Sequence, residues 1–229
     1  MKFDRKAVQR WVREFAVIVL GVLVALWVSD WSQGHQERQR EQIDLQQLLA
    51  TTRDNERRVV AAINEDSSAL AVAYRLLAAL HATTALPPED TLSAWRTEAF
   101  HFSVFFPMTG TYTAIAQTGD LNLIRNDSVR AQIASYAGIL AGTAKQIEDW
   151  TGTFHRNVQD LIQTVPIQGV WGAAFAEPTG PTTWRAPALE RALFMQTIIS
   201  QNRVSDLRQL LDATRALRRS LEATLRNGG

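Results

Sequence analysis

The sequence predicts an all-α protein, one amino-terminal membrane helix followed by an antiparallel bundle of three long and two or more short helices. Three observations carry that expectation. Residues 15–28, FAVIVLGVLVALWV, hold no charge and no polar face. Three long stretches carry apolar residues at helical spacing, each closed by proline or glycine, and no run of alternating residues reads as a strand.

The 229 residues are 46% hydrophobic and 21% charged, enough apolar material for one folded domain and too much for a disordered chain. With 24 Lys and Arg against 23 Asp and Glu, no net field draws in a polyanion, so nucleic acid is not an expected partner. The absence of cysteine removes disulfides, thiolate metal sites and thiol nucleophiles together.

Fourteen residues of helix cover about 21 Å, less than the roughly 30 Å hydrocarbon core, so the aromatic flanks decide how the first segment is read. Trp11 lies before it, Trp27 and Trp31 at its far end, and the helix from Trp11 to Trp31 spans about 30 Å, which fits anchoring at both interfaces. Phe15 and Val28 bound the apolar run. A cleaved signal would need a small-x-small site, and Leu26, Trp27, Val28, Ser29, Asp30 and Trp31 provide none. The expectation is a membrane anchor at 13–32. Lys2, Arg5, Lys6, Arg10 and Arg13 precede the span, whereas Arg38 and Arg40 follow it closely, which places a short tail, 1–12, in the cytoplasm and residues 33–229 in the periplasm of a bacterial inner membrane.

The exported part opens with a proline-free stretch from 33 to 84. Leu45, Leu49, Thr52, Glu56, Val59, Ile63, Asp66, Leu70, Ala73, Leu77 and Leu80 form a heptad-like seam, with Glu56 and Asp66 as polar interruptions and Gly34 as a candidate bend. Pro87 and Pro88 end it. Asp90 or Thr91 then caps a short helix containing Leu92, Trp95 and Phe100, and a second short helix over 112–117 stops at Gly119. Asn126 or Asp127 caps a long helix with Ile133, Tyr136, Leu140, Ile147, Phe154, Val158 and Leu161 on its apolar face. Gly138 and Gly142 within it suggest close packing in the bundle. After a Gly/Pro/Trp-rich loop at 166–187, a last helix carries Leu207, Leu211, Leu217, Leu221 and Leu225, with a kink near Gln201 and a restart at Ser205.

The strings REFAVIVLGVLVALWVSDW and QERQREQIDLQQL, and later YTAIAQTGDLNLIRNDSVRAQIASYAG, resemble an uncharacterised family of bacterial single-pass membrane proteins with an amino-terminal span and a helical periplasmic domain. The resemblance covers roughly residues 13 to 140. It implies the topology and the fold, and it transfers no catalytic residue.

No nucleophile elbow, phosphate loop, dinucleotide fingerprint or His-Glu-x-x-His occurs. Glu98 and His101 are spaced as in di-iron bundles, yet the second such pair that a site requires is missing, so no metal, cofactor or catalytic residue is expected. Contact surfaces remain. Val170, Trp171, Phe175 and Trp184 in the long loop are candidate partner contacts if exposed, whereas Phe100, Phe102, Phe105 and Phe106 suit the core. Arg208, Arg215, Arg219 and Arg226 fall within about 40° on the last helix, away from its leucines, a basic stripe for an acidic partner or for lipid phosphates. Gly21 and Ala25 offer a small-x-x-x-small step in the anchor, so a homo-oligomer is compatible with the sequence.

The expected function is a non-catalytic, membrane-anchored accessory or stabilising subunit of a larger envelope complex, with the bilayer and other subunits as partners; a respiratory or photosynthetic assembly is one kind of host. A periplasmic ligand-sensing bundle acting through a partner and a metal-dependent enzyme are the alternatives.

Overall fold

The computed structural model describes residues 5–164 and 184–227, with the side chains of 5–14 and 16–18 outside the description. Among the described residues there are five α-helices and no strand: α1 (Arg5–His81), α2 (Glu89–Ala99), α3 (Gly110–Thr118), α4 (Asp127–Thr164) and α5 (Pro187–Asn227). A 3-10 turn, Asp120–Leu123, links α3 to α4.

α1 rises through the whole molecule, about 115 Å at 1.5 Å per residue. It passes through Gly34 without interruption and ends at His81, several residues before the prolines. α2 and α3 descend along it, as shown by Glu98 beside Ser68, Met108 beside Asn55 and Tyr112 beside Thr52. α4 rises again, and α5 descends between α1 and α4, with His81–Glu190 at the top and Arg53–Glu222 near the base. The result is an up-down-up-down bundle whose second column is broken between α2 and α3.

The deep face of α1 differs from the expected seam by one row. The rows through Leu45, Thr52, Val59, Asp66, Ala73 and Leu80, and Leu77 at the upper end, are buried as expected, but below Leu77 their companions are Leu48, Asn55, Ala62 and Ala69, with Leu76 beside Leu77. Leu49, Glu56, Ile63 and Leu70 are only half-buried. α1 is covered from both flanks, so its deepest line falls where the flanking columns meet, and Ala62 and Ala69 let them approach. Leu48→Ala should therefore cost about 2–5 kcal/mol and Leu49→Ala clearly less, measurable by urea denaturation.

The helix ends follow local chemistry. Pro88 is the N-cap of α2, which has no side-chain cap; Glu89 and Asp90 in its first turn favour the positive end of the helix dipole, where a cap at Asp90 or Thr91 had been expected. Gly119 follows α3 at φ 80°, a left-handed position that suits glycine. Asn126 caps α4, its Oδ1 accepting from the backbone N–H of Ser128 at 3.0 Å and of Val129 at 3.2 Å. α5 runs unbroken, with no kink at Gln201 and no restart at Ser205.

Gly138 and Gly142 do not mark a helix crossing. Both lie on the exposed face of α4, and a Cβ added at either meets nothing within 4 Å. The expected close packing is corrected accordingly: α5 covers the opposite face. Gly138→Ala and Gly142→Ala should each stabilise the fold by about 0.5–1 kcal/mol, seen as a raised denaturation midpoint.

Candidate functional site

Among the described residues, no other element covers the side chains of α1 from Val19 to Gln33. Phe15 is 69% exposed, Leu20 66%, Trp27 69% and Trp31 67%, and Val28 is exposed with every described neighbour from Val19 onward. Among the described side chains the first buried one is Leu45, about 21 Å beyond Trp31, and contact with the rest of the bundle begins about 15 Å beyond Trp31, where Glu41 accepts the Arg125 N–H. Local pairs line the interval: Trp31 stacks on His35 at 6.2 Å, and Gln33 and Gln39 bond to Glu37 and His35. Trp11 lies outside the described side chains. Among the described residues no helix is long and apolar enough to cross a membrane; the side chains at 16–18, inside the apolar run, are not among them.

Inside the bundle, the polar residues of α1 hold the broken column in place. Asn55 donates through Nδ2 to the Met108 carbonyl at 3.0 Å and accepts the Met108 N–H at 2.7 Å, a two-bond clasp. Eleven residues further up, Asp66 accepts the Ser103 N–H at 3.3 Å. Eleven helical residues and five extended ones both span about 16.5 Å, so the segment from Ser103 to Met108 runs straight alongside α1. It alternates like a strand: Ser103 and Phe105 are buried, while Val104 is 70% and Phe106 72% exposed. Phe106 therefore departs from the expected core position, whereas Phe100 and Phe105 are buried. A cleft of about 540 Å³ lies between this segment and α4, lined by Phe102, Phe106, Ile147, Thr151 and His155 among others.

Asp66 also receives Arg203 of α5, whose Nε donates at 2.9 Å; both side chains are almost fully buried. Arg203 Nη2 donates to the Ser103 carbonyl at 2.8 Å and to its Oγ at 2.9 Å. The guanidinium lies 4.0 Å over the Phe102 ring, which stacks on Phe154 of α4 at 4.5 Å. One layer thus joins all four columns and separates two apolar clusters, one below around Leu48, Ile133 and Leu210, one above around Leu76, Phe154 and Leu193. Asp66, a polar interruption in the sequence pattern of α1, thus finds a buried partner in Arg203, which the pattern of α5 does not mark.

Lower down, Thr52 and the Tyr112 hydroxyl share a bond of 2.8 Å, Thr214 and the Tyr136 hydroxyl one of 3.2 Å, and the two rings lie 5.2 Å apart. Burial pushes both phenols above their ordinary value of 10.0, so the folded chain keeps protons that the unfolded chain sheds. Stability is then full below pH 10 and declines as pH rises beyond it, by about 1 kcal/mol near pH 11 from Tyr112, with Tyr136 acting in the same direction. Denaturation at pH 9 and pH 11 checks this expectation, and a Tyr112→Phe/Tyr136→Phe variant should lose most of the slope.

Arg208, Arg215, Arg219 and Arg226 are exposed along α5, and α1 adds charges beside them. Glu56 pairs with Arg215 at 3.0 Å and Arg218 at 2.8 Å; Glu222 pairs with Arg53 at 2.9 Å and Arg218 at 3.3 Å. The Arg53 hydrogen bond, with Arg218 beside it, holds the Glu222 carboxyl below the usual carboxylate range. Arg226 donates to the Glu222 carbonyl at 3.3 Å. Arg208 and Arg219 are exposed and pair with no other described residue.

Trp184 is corrected as a partner contact. It is 2% exposed, packed in the upper cluster with Arg96 5.4 Å over its ring, because the chain turns back there onto the top of the bundle. Val170, Trp171 and Phe175 lie outside the described residues. Glu98 and His101 take different partners, Ser68 and Glu65, and among the described residues no three His, Asp or Glu side chains gather as a metal site would require. No family model, no curated protein and no solved structure matches the chain.

Proposed function

We propose that this protein is a membrane-anchored, non-catalytic accessory or stabilising subunit of a larger bacterial envelope complex. Residues 13–32 lie across the inner membrane, the amino terminus faces the cytoplasm, and the bundle stands in the periplasm. The observation that carries this reading is the bare lower part of α1, where a run of Val, Leu and Trp side chains is exposed and no other described residue covers it. Isolated surface apolar residues are ordinary, but a continuous apolar helix in water is not, and a bilayer supplies the missing solvent. The contact role is supported by the use of buried polar groups for structure: Asp66, Arg203, Asn55 and the tyrosines all bond within the bundle.

Purification in mild detergent followed by crosslinking mass spectrometry tests this proposal. The expected result is one recurrent partner crosslinked to the bundle; a clean monomer without reproducible partners would count decisively against it.

A further inference from the structure

Resting on that reading, the inference concerns the face that α5 and α1 build together. It presents Arg208, Arg215, Arg218, Arg219 and Arg226 from α5 and Arg53 and Arg57 from α1, against Asp54, Glu56, Asp212 and Glu222, a surplus of three positive charges on a chain whose net charge is +1. Within the chain, three guanidinium groups share the carboxylates of Glu56 and Glu222, and Arg208 and Arg219 have no partner among the described residues. Beside the stripe runs an open groove of about 580 Å³, lined by Arg53, Glu56, Arg57, Val60, Ala61 and Asn64 of α1 and by Arg218 of α5.

We infer that the exposed arginine face of α5 receives an acidic helical segment of a partner subunit. The outward arginines recur at steps of 7, 4 and 7 residues, about 10.5, 6 and 10.5 Å along α5. A helix with carboxylates at the same steps meets all four, and because the pattern reads the same in both directions, either orientation fits. Single exposed ion pairs are weak and screened by salt, so several must form together, which selects a regularly spaced acidic helix over a scattered acidic surface. Lipid phosphate is the less suitable occupant. In the proposed topology Arg53 lies 22 residues beyond Trp31, about 33 Å along α1 and past the headgroup layer.

The test uses the full chain in nanodiscs of zwitterionic lipid and a fluorescein-labelled, alanine-rich helical peptide carrying Glu at the 7-4-7 steps, with a scrambled peptide of identical composition as control. Anisotropy should show the matched peptide binding about tenfold more tightly than the scrambled one, with the difference lost in Arg208→Glu/Arg219→Glu and at high salt. Equal binding of the two peptides, unchanged binding by the variant, or no binding of either would overturn the inference. So would tighter, variant-sensitive binding to phosphatidylglycerol vesicles or to heparin. The peptide needs no native partner, so its failure sinks the acidic-helix inference alone, whereas a clean monomer in the crosslinking experiment sinks the accessory-subunit reading.

Discussion

Asp66→Ala should lower the unfolding free energy by about 3–5 kcal/mol, enough to leave much of the population unfolded at moderate temperature. Removing the carboxylate leaves the Arg203 guanidinium, almost fully buried, with the Ser103 oxygens and the Phe102 ring but no counter-charge. The Ser103 N–H loses its acceptor in the same step, which frees one of the two clasps on the extended segment. Arg203→Met should cost a similar amount by stranding Asp66. The Asp66→Leu/Arg203→Met pair should be far milder than the sum of the single changes, since two well-packed apolar groups carry no unpaired charge. Urea denaturation of the four proteins checks all three statements; additive losses would show that the layer acts as packing and not as an ion pair.

Deleting residues 1–32 should move the protein entirely from the carbonate-washed membrane pellet to the supernatant while changing the urea midpoint of the bundle little. The two halves of that expectation have separate grounds. Partitioning follows from the exposed apolar run, each buried Leu, Val or Trp side chain contributing on the order of 1.5–3 kcal/mol toward a hydrocarbon environment. The unchanged midpoint follows because, among the described side chains, burial on α1 begins at Leu45, so the deletion removes none of the residues that form the two core clusters. A destabilised deletion variant would mean that the lower helix leans on the bundle. A variant that remained in the pellet would mean that the bundle itself holds to the membrane.

Much of this architecture is legible in the residues. The apolar face of α4 appears where its periodicity places it, from Ile133 to Leu161, and Asn126 and Gly119 act as the cap and the stop that their chemistry suggests. The seam on α1 is half legible: its first row is correct, but the second could not be told from its neighbour, because Leu48 and Leu49 are equally apolar and Ala62 and Ala69 carry little hydrophobic signal. Which of two adjacent rows goes deepest depends on where other helices press, and a single helix does not encode that. The same shift explains why Glu56 and Asp66, alike as interruptions, have different fates. Glu56 falls on the flank and joins the arginine ladder, while Asp66 remains on the deep line and requires Arg203. Arg203 was hidden because an arginine amid a polar-looking stretch, 137 residues from its partner, gives no local sign of burial. The contact surfaces were legible as residue types only: the arginine stripe lies on an open face, whereas Trp184 turns inward.

Because one uninterrupted helix belongs to both the bare end and the bundle, each side chain on the lower half has a fixed bearing relative to the arginine groove, at 100° and 1.5 Å per residue. The rod works as an index. One residue inserted between 33 and 40 would turn the groove by about a quarter-circle with little change in height, while seven would nearly restore its heading and lift it by about 10 Å. Whatever grips both ends must therefore match them in azimuth as well as in distance.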